Sequence, residues 1–120
     1  MATTKPIDID VIILSYARDE KLKSVTLDGI QTLVDSEDPS HIRFNVIVVE
    51  SNQALAPFQY PHTTTVYPKE SFGYHKFMNI GINMSNSPFV CICNNDLLFH
   101  KNWATEIIHA FQTDLTLFSV

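Results

Sequence analysis

Basic residues are scarce in this chain: eight Lys and Arg stand against thirteen Asp and Glu, a formal net charge of -5. A protein that binds nucleic acid in general displaces counterions with a basic stripe, and the lack of one argues against that class. A small phosphate-bearing ligand would need local help from a metal, a few amides or single cations. Long apolar runs are missing too. No stretch approaches the length of a membrane span, and the N-terminal M-A-T-T-K-P lacks the basic-then-apolar pattern of a secretory signal, so a cytoplasmic protein is expected. Cysteine is limited to Cys91 and Cys93. Without partner cysteines at metal spacing they read as free thiols acting as small hydrophobes, two apart in a strand and therefore on one sheet face. Also absent are the G-x-x-x-x-G-K phosphate loop, the G-x-G-x-x-G dinucleotide loop and the G-x-S-x-G nucleophile elbow.

What is present describes one folded domain over residues 1–120, with 45% hydrophobic residues and too little charge, 18%, for a disordered chain. Residues 7–14, I-D-I-D-V-I-I-L, begin in alternation and end in an aliphatic run, as a strand buried on both faces does. A helix follows from Asp19, its cap, with Leu22, Val25, Ile30, Leu33 and Val34 at helical spacing and Pro39 closing its exit. Residues 44–49, F-N-V-I-V-V, form a second strand, and residues 54–62, with two prolines, a loop. T-T-T-V-Y at 63–67 suits a short edge strand. Phe77, Ile80 and Met84 mark a helix from about residue 72 to 84, in which Gly81 suggests close packing against the sheet.

The stretch F-V-C-I-C-N-N-D at 89–96 is the one around which the rest is organised: a buried strand that delivers a polar cluster to a sheet edge. Trp103, Ile107, Ala110 and Phe111 share the face of a further helix, which makes Trp103 and Phe111 core residues, and residues 115–120 begin another strand. Strands alternating with amphipathic helices predict a three-layer, mostly parallel, Rossmann-like α/β domain. If the strands are parallel, the polar segments 15–19, 50–53 and 94–96 open on one edge, where such sheets bind ligands. The plain alternative is that strand ends are polar because chains turn in water. His41, His62 and His109 read as surface residues. His75 and His100 lie nearer the edge, where packing or exposure is still favoured. A receiver domain does not fit, since Asp96 lies too far along and no Lys follows a fifth strand.

Y-A-R-D-E after the first strand, V-I-V-V-E-S-N after the second, G-Y-H-K-F-M-N-I-G-I before the fourth and the closing N-N-D together resemble the nucleotide-sugar-binding half of family 2 glycosyltransferases, of GT-A fold, across residues 8–112. The resemblance implies that Tyr16 and Arg18 line the nucleoside pocket, with Ala17 replacing the usual Asn. It implies that Glu50 reads the base or ribose, as an acceptor-only carboxylate suits. Gly73, Asn79 and Gly81 match a segment near the donor; Met78 replaces a common Arg, and Lys76 is either a substitute cation or a surface lysine. Asn94, Asn95 and Asp96 match the D-x-D motif in an N-N-D form. Asp96 would then ligate Mn²⁺ or Mg²⁺ bridging the donor diphosphate, and Asn94 and Asn95 would touch the ribose or the metal shell. A single carboxylate should hold metal weakly until the nucleotide completes the shell.

The expected partners are a nucleotide-diphosphate sugar and a sugar or other hydroxyl acceptor. The resemblance places the catalytic base and most of the acceptor site beyond Val120, so donor binding is expected more firmly than transfer; Asp114 is the only late acid, and nothing marks it as that base. The alternative expectation is an inactive nucleotide-binding or assembly module, with the apolar last strand pairing two copies into a homodimer.

Overall fold

The computed structural model describes residues 5–52, 54 and 58–114. Four strands, β1 (Ile7–Ser15), β2 (Ile42–Glu50), β3 (Thr63–Val66) and β4 (Phe89–Asn94), form one sheet in the order β3-β2-β1-β4. Every neighbouring pair is parallel. Three helices, α1 (Glu20–Asp35), α2 (Tyr74–Asn83) and α3 (Trp103–Thr113), flank it.

Strand periodicity of two sorts the aliphatic residues between two layers. Ile9, Val11, Ile13, Val46 and Val48 turn to one side and pack with Ile30 and Leu33 of α1 and Ala104 and Ile108 of α3. Ile12, Ile47 and Val49 turn to the other and meet Phe77 and Met78 of α2. The central run of β1 is therefore buried on both faces, as its composition predicts, and each such aliphatic contributes roughly 1.5–3 kcal/mol before chain entropy is counted. The result is an α/β domain with an all-parallel sheet and helices on both faces, compatible with a Rossmann-like arrangement.

Local signals set the boundaries. Asp19 caps α1, its Oδ1 accepting the Leu22 N–H over 2.9 Å. A Cβ on Gly81 would come within 2.5 Å of Ile12 Cγ2 and 3.3 Å of Val49 Cγ2, so the glycine lets α2 lie against the sheet. Strand β2 begins at Ile42, earlier than the apolar run at Phe44, because Arg43 pairs in register with Asp8 and holds its carboxylate through Nε at 2.6 Å and Nη2 at 3.0 Å. Helix α2 begins at Tyr74, later than expected, with Gly73 as its cap. On α3 the buried residues are Ala104 and Ile108; Trp103 stacks on Phe44, meets Phe99 and packs against the core as expected, whereas Phe111 is half-buried and meets the ring of Phe89 at the margin.

Strand β4 corrects the sequence reading. It is the outermost strand of the described sheet, and only the face bearing Cys91 and Cys93 turns inward. Val90 and Ile92 remain 44% and 52% exposed, because α2 lies over β1 and β2 and leaves that face of β4 uncovered. The stretch at 115–120 read as a further strand lies outside the described residues, as do Gln53 and residues 55–57 of the loop. Strand β3 stands at the opposite edge, as its half-polar sequence suggests. Among the described residues no helix is long and apolar enough to cross a membrane.

Candidate functional site

Because the sheet is all-parallel, the carboxyl ends of β1, β2 and β4 share one edge: Ser15 stands opposite Glu50, and Leu14 opposite Asn94. Glu50 is fully buried there. Its Oε1 accepts the Ser15 hydroxyl over 2.8 Å, and its Oε2 accepts the backbone N–H groups of Ala17 (3.0 Å) and Asn52 (2.9 Å). Two further ties join the same segments. Ser51 donates its N–H and its hydroxyl to the Ser15 carbonyl, and Asn52 Nδ2 donates to the Ala17 carbonyl over 2.9 Å.

The carboxylate at the end of β2 thus works as a strut beneath the turn at the end of β1. Ala17 is buried against it, whereas Tyr16, 53% exposed, and Arg18 reach into solvent from this fixed turn. Arg18 Nε lies 3.9 Å from its neighbour Asp19, a loose surface pair. Below the strut is a polar atom without a partner. The Tyr60 hydroxyl is buried close to the Ser15 and Thr26 hydroxyls, but no group among the described residues meets it in hydrogen-bond geometry. Burial pushes its pKa up; the nearby hydroxyls oppose this and the Glu50 charge adds to it.

The end of β4 is held differently. Asn94 Oδ1 accepts a long hydrogen bond, 3.4 Å, from the hydroxyl of Tyr74. Asn95 Nδ2 donates to Thr26 Oγ1 over 3.0 Å, and Thr26 lies 3.4 Å from the Ser15 hydroxyl, so a chain of polar contacts runs from β4 through α1 to β1 and Glu50. Asp96 is exposed and makes no hydrogen bond or ion pair to the described residues. Among those residues no group of three or more His, Cys, Asp or Glu assembles that could hold a metal ion. A hard cation at this edge would meet the Asp96 carboxylate and amide oxygens, and would need further oxygen ligands from its guest.

Lys76 does not extend toward Asn94. Its Nζ turns back to the Ser71 carbonyl at 3.1 Å and lies 4.0 Å from Glu70. Met78 is buried in the α2–sheet core, Gly81 packs on Ile12, and Asn79 is exposed. All five histidines, including His75 and His100, are exposed. At Gly73 no side chain caps α2, and the Tyr74–Asn94 contact brings that helix start to the end of β4, leaving backbone N–H groups of the kind that favour anions.

The edge therefore unites Tyr16, Arg18, Glu50, Asn94, Asn95 and Asp96, while Lys76 is engaged elsewhere. Reading the sequence placed Ser15 at the edge without giving it a role, and missed Thr26, Tyr60 and Tyr74. One signal was available: Thr26 is a polar residue spaced four from both Leu22 and Ile30, on the apolar stripe of α1. No protein-family description matches the chain, and no curated protein matches it significantly.

Proposed function

We propose that this chain binds a nucleotide-diphosphate sugar together with Mn²⁺ or Mg²⁺ at the carboxyl edge of its sheet, as the donor-binding portion of a GT-A glycosyltransferase resembling family 2. The observation that carries the reading is the meeting of three strand ends, with Asp96 unpartnered and facing solvent between Asn95 and the next turn. Tyr16 and Arg18 offer an aromatic face and a guanidinium from a turn that Glu50 holds rigid, which suits a nucleoside and its first phosphate. The uncapped start of α2 suits a second phosphate.

The residues fit a hard divalent cation in kind, since the donor set is one carboxylate and neutral amide oxygens. They fall short in number, which suits an ion shared with the donor diphosphate. Asp96 would hold it, with Asn94 beside it. When bound, such an ion offsets charge on a departing diphosphate. The protein's own share is to orient the donor and hold the ion. In the complete reaction an acceptor hydroxyl attacks the anomeric carbon and a carboxylate takes its proton.

Calorimetric titration with UDP, GDP and dTDP, with and without Mn²⁺, tests the proposal. At least one nucleotide should bind more tightly with Mn²⁺, and Asp96→Ala should remove that gain. A folded sample that answers to none of the three refutes it.

A second reading, an assembly module, draws on the outer edge of β4 with its exposed Val90 and Ile92, which a second copy would cover. Light scattering separates the two: a strict monomer at high concentration counts against assembly.

A further inference from the structure

Helix α1 does more than seal one face of the sheet. Along one side it meets the segment after β4 at three positions, each three residues from the last. Thr26 Oγ1 accepts from Asn95 Nδ2. A Cβ on Gly29 would lie 2.7 Å from the Leu97 carbonyl oxygen and 3.5 Å from that of Asn95. Thr32 Oγ1 accepts the Phe99 N–H over 3.0 Å while donating to the Gly29 carbonyl. At 3.6 residues per turn these positions lie on one face, so the helix presents a hydroxyl, a gap and a second hydroxyl to the loop.

The contact continues past the end of α1. The Asn102 N–H and Trp103 Nε1 donate to Ser36, and Glu37 accepts the Ala104 and Thr105 N–H groups and the Thr105 hydroxyl. These lower rungs secure the start of α3 without help from Thr26 or Gly29. The upper rungs act elsewhere: Thr26 holds the Asn95 side chain, and the bare Cα of Gly29 lets the Leu97 backbone lie close against α1, on either side of Asp96. Asp96 is thus flanked by two residues that lie against α1, while its own side chain makes no hydrogen bond or ion pair to the described residues.

We infer that Thr26 and Gly29 are positioning residues that set where the Asp96 carboxylate stands for its cation; this rests on the donor-binding reading above. Asn95 works here through its side-chain amide on Thr26, and Gly29 works by having no Cβ to push the Leu97 carbonyl outward.

The test compares wild type, Thr26→Val, Thr26→Ser and Gly29→Ala by nucleotide titration with and without Mn²⁺, beside amide spectra and thermal unfolding. Thr26→Val and Gly29→Ala should lower the Mn²⁺-dependent part of the affinity by about 10-fold or more, leave metal-free nucleotide affinity within about twofold, and Thr26→Ser should restore it, as changes behind a metal ligand do. An unchanged Mn²⁺-dependent part overturns the inference. So does a parallel fall of both affinities with the unfolding temperature, which marks a structural role alone. If wild type binds no nucleotide in either condition, the donor reading fails, and Mn²⁺ alone becomes the probe. Paramagnetic broadening of the Asn95 and Asp96 amides in wild type, lost in Thr26→Val, then upholds the positioning role; broadening that is equal in both, or absent from wild type, ends it.

Discussion

The Ser15 hydroxyl donates to Glu50 Oε1 across the ends of two neighbouring parallel strands, in a place closed to solvent. The same carboxylate takes two backbone N–H groups, so its removal strands three donors at once. Glu50→Ala should destabilise the fold by about 3–5 kcal/mol, from unsatisfied donors and an unfilled space together. Glu50→Gln, which keeps an oxygen for the two amides, should cost less, about 1–2 kcal/mol. Urea unfolding of the two variants checks the order.

A second buried acid sets a pH dependence. Asp10 accepts the Asn86 and Ser87 N–H groups at 2.8 and 3.2 Å and the Ser87 hydroxyl at 2.6 Å, tying mid-β1 to the turn before β4. Burial pushes its pKa up, but these hydrogen bonds outweigh it and hold the carboxyl below its ordinary value. A depressed folded-state pKa gives stability that is present above the unfolded value, about 4, and lost as pH falls through the folded one. The urea midpoint of wild type should therefore drop below about pH 4. Asp10→Asn should start lower at pH 7 and show a shallower acid limb. Asp8, half-buried and lowered by Arg43, and Asp38, exposed and lowered by Ser40, should leave the remaining slope.

Gly81→Ala sets two effects against each other. Alanine favours a helix by about 1 kcal/mol, but the new methyl meets Ile12 and Val49 inside the core, at a cost of about 1–3 kcal/mol. The packing effect should win, and thermal unfolding should show a net loss.

The two thiols should differ in reactivity although their Sγ atoms lie 3.6 Å apart. The hydrogen bond between the two thiols lowers the Cys91 pKa despite burial, whereas its neighbour and its burial both push the Cys93 thiol up. A chromogenic disulfide reagent at pH 8 should label Cys93→Ser, through Cys91, well before it labels Cys91→Ser. Labelling of the latter should wait for unfolding.

Much of this fold is legible in the sequence, for a physical reason. The runs at Val11 to Leu14 and Val46 to Val49 need cover on two faces, which a parallel sheet between helices supplies, and parallel strands then bring Ser15, Glu50 and Asn94 to one edge. The same reasoning failed on β4. An apolar run looks alike whether one face is covered or two, and Val90 and Ile92 are uncovered because α2 lies farther in. Charge misled in another way: Glu50 at a strand end reads as facing water or a ligand, yet it is enclosed by donors from its neighbours. Thr26 is marked only by its place on the apolar stripe of α1, and the contacts of Gly29 and Thr32 carry no periodic signal at all; the partners of all three lie far along the chain.

The strand order also governs how the molecule comes together as it is made. β1 is synthesised first, yet Ile9 must pair with both Phe44 and Phe89. The nearer partner can zip on once α1 and β2 emerge, and pairing with the distant one is slower because non-local closure loses more chain entropy. At the usual pace of translation, about 5–20 residues per second, the flank of β1 that faces β4 stays open for a few seconds. During that interval an aliphatic strand with unpaired backbone groups is a template for any other chain nearby. Among the described strands, the edge that completes the candidate site is thus also the last to close, and the one where a nascent copy is most exposed to misassembly.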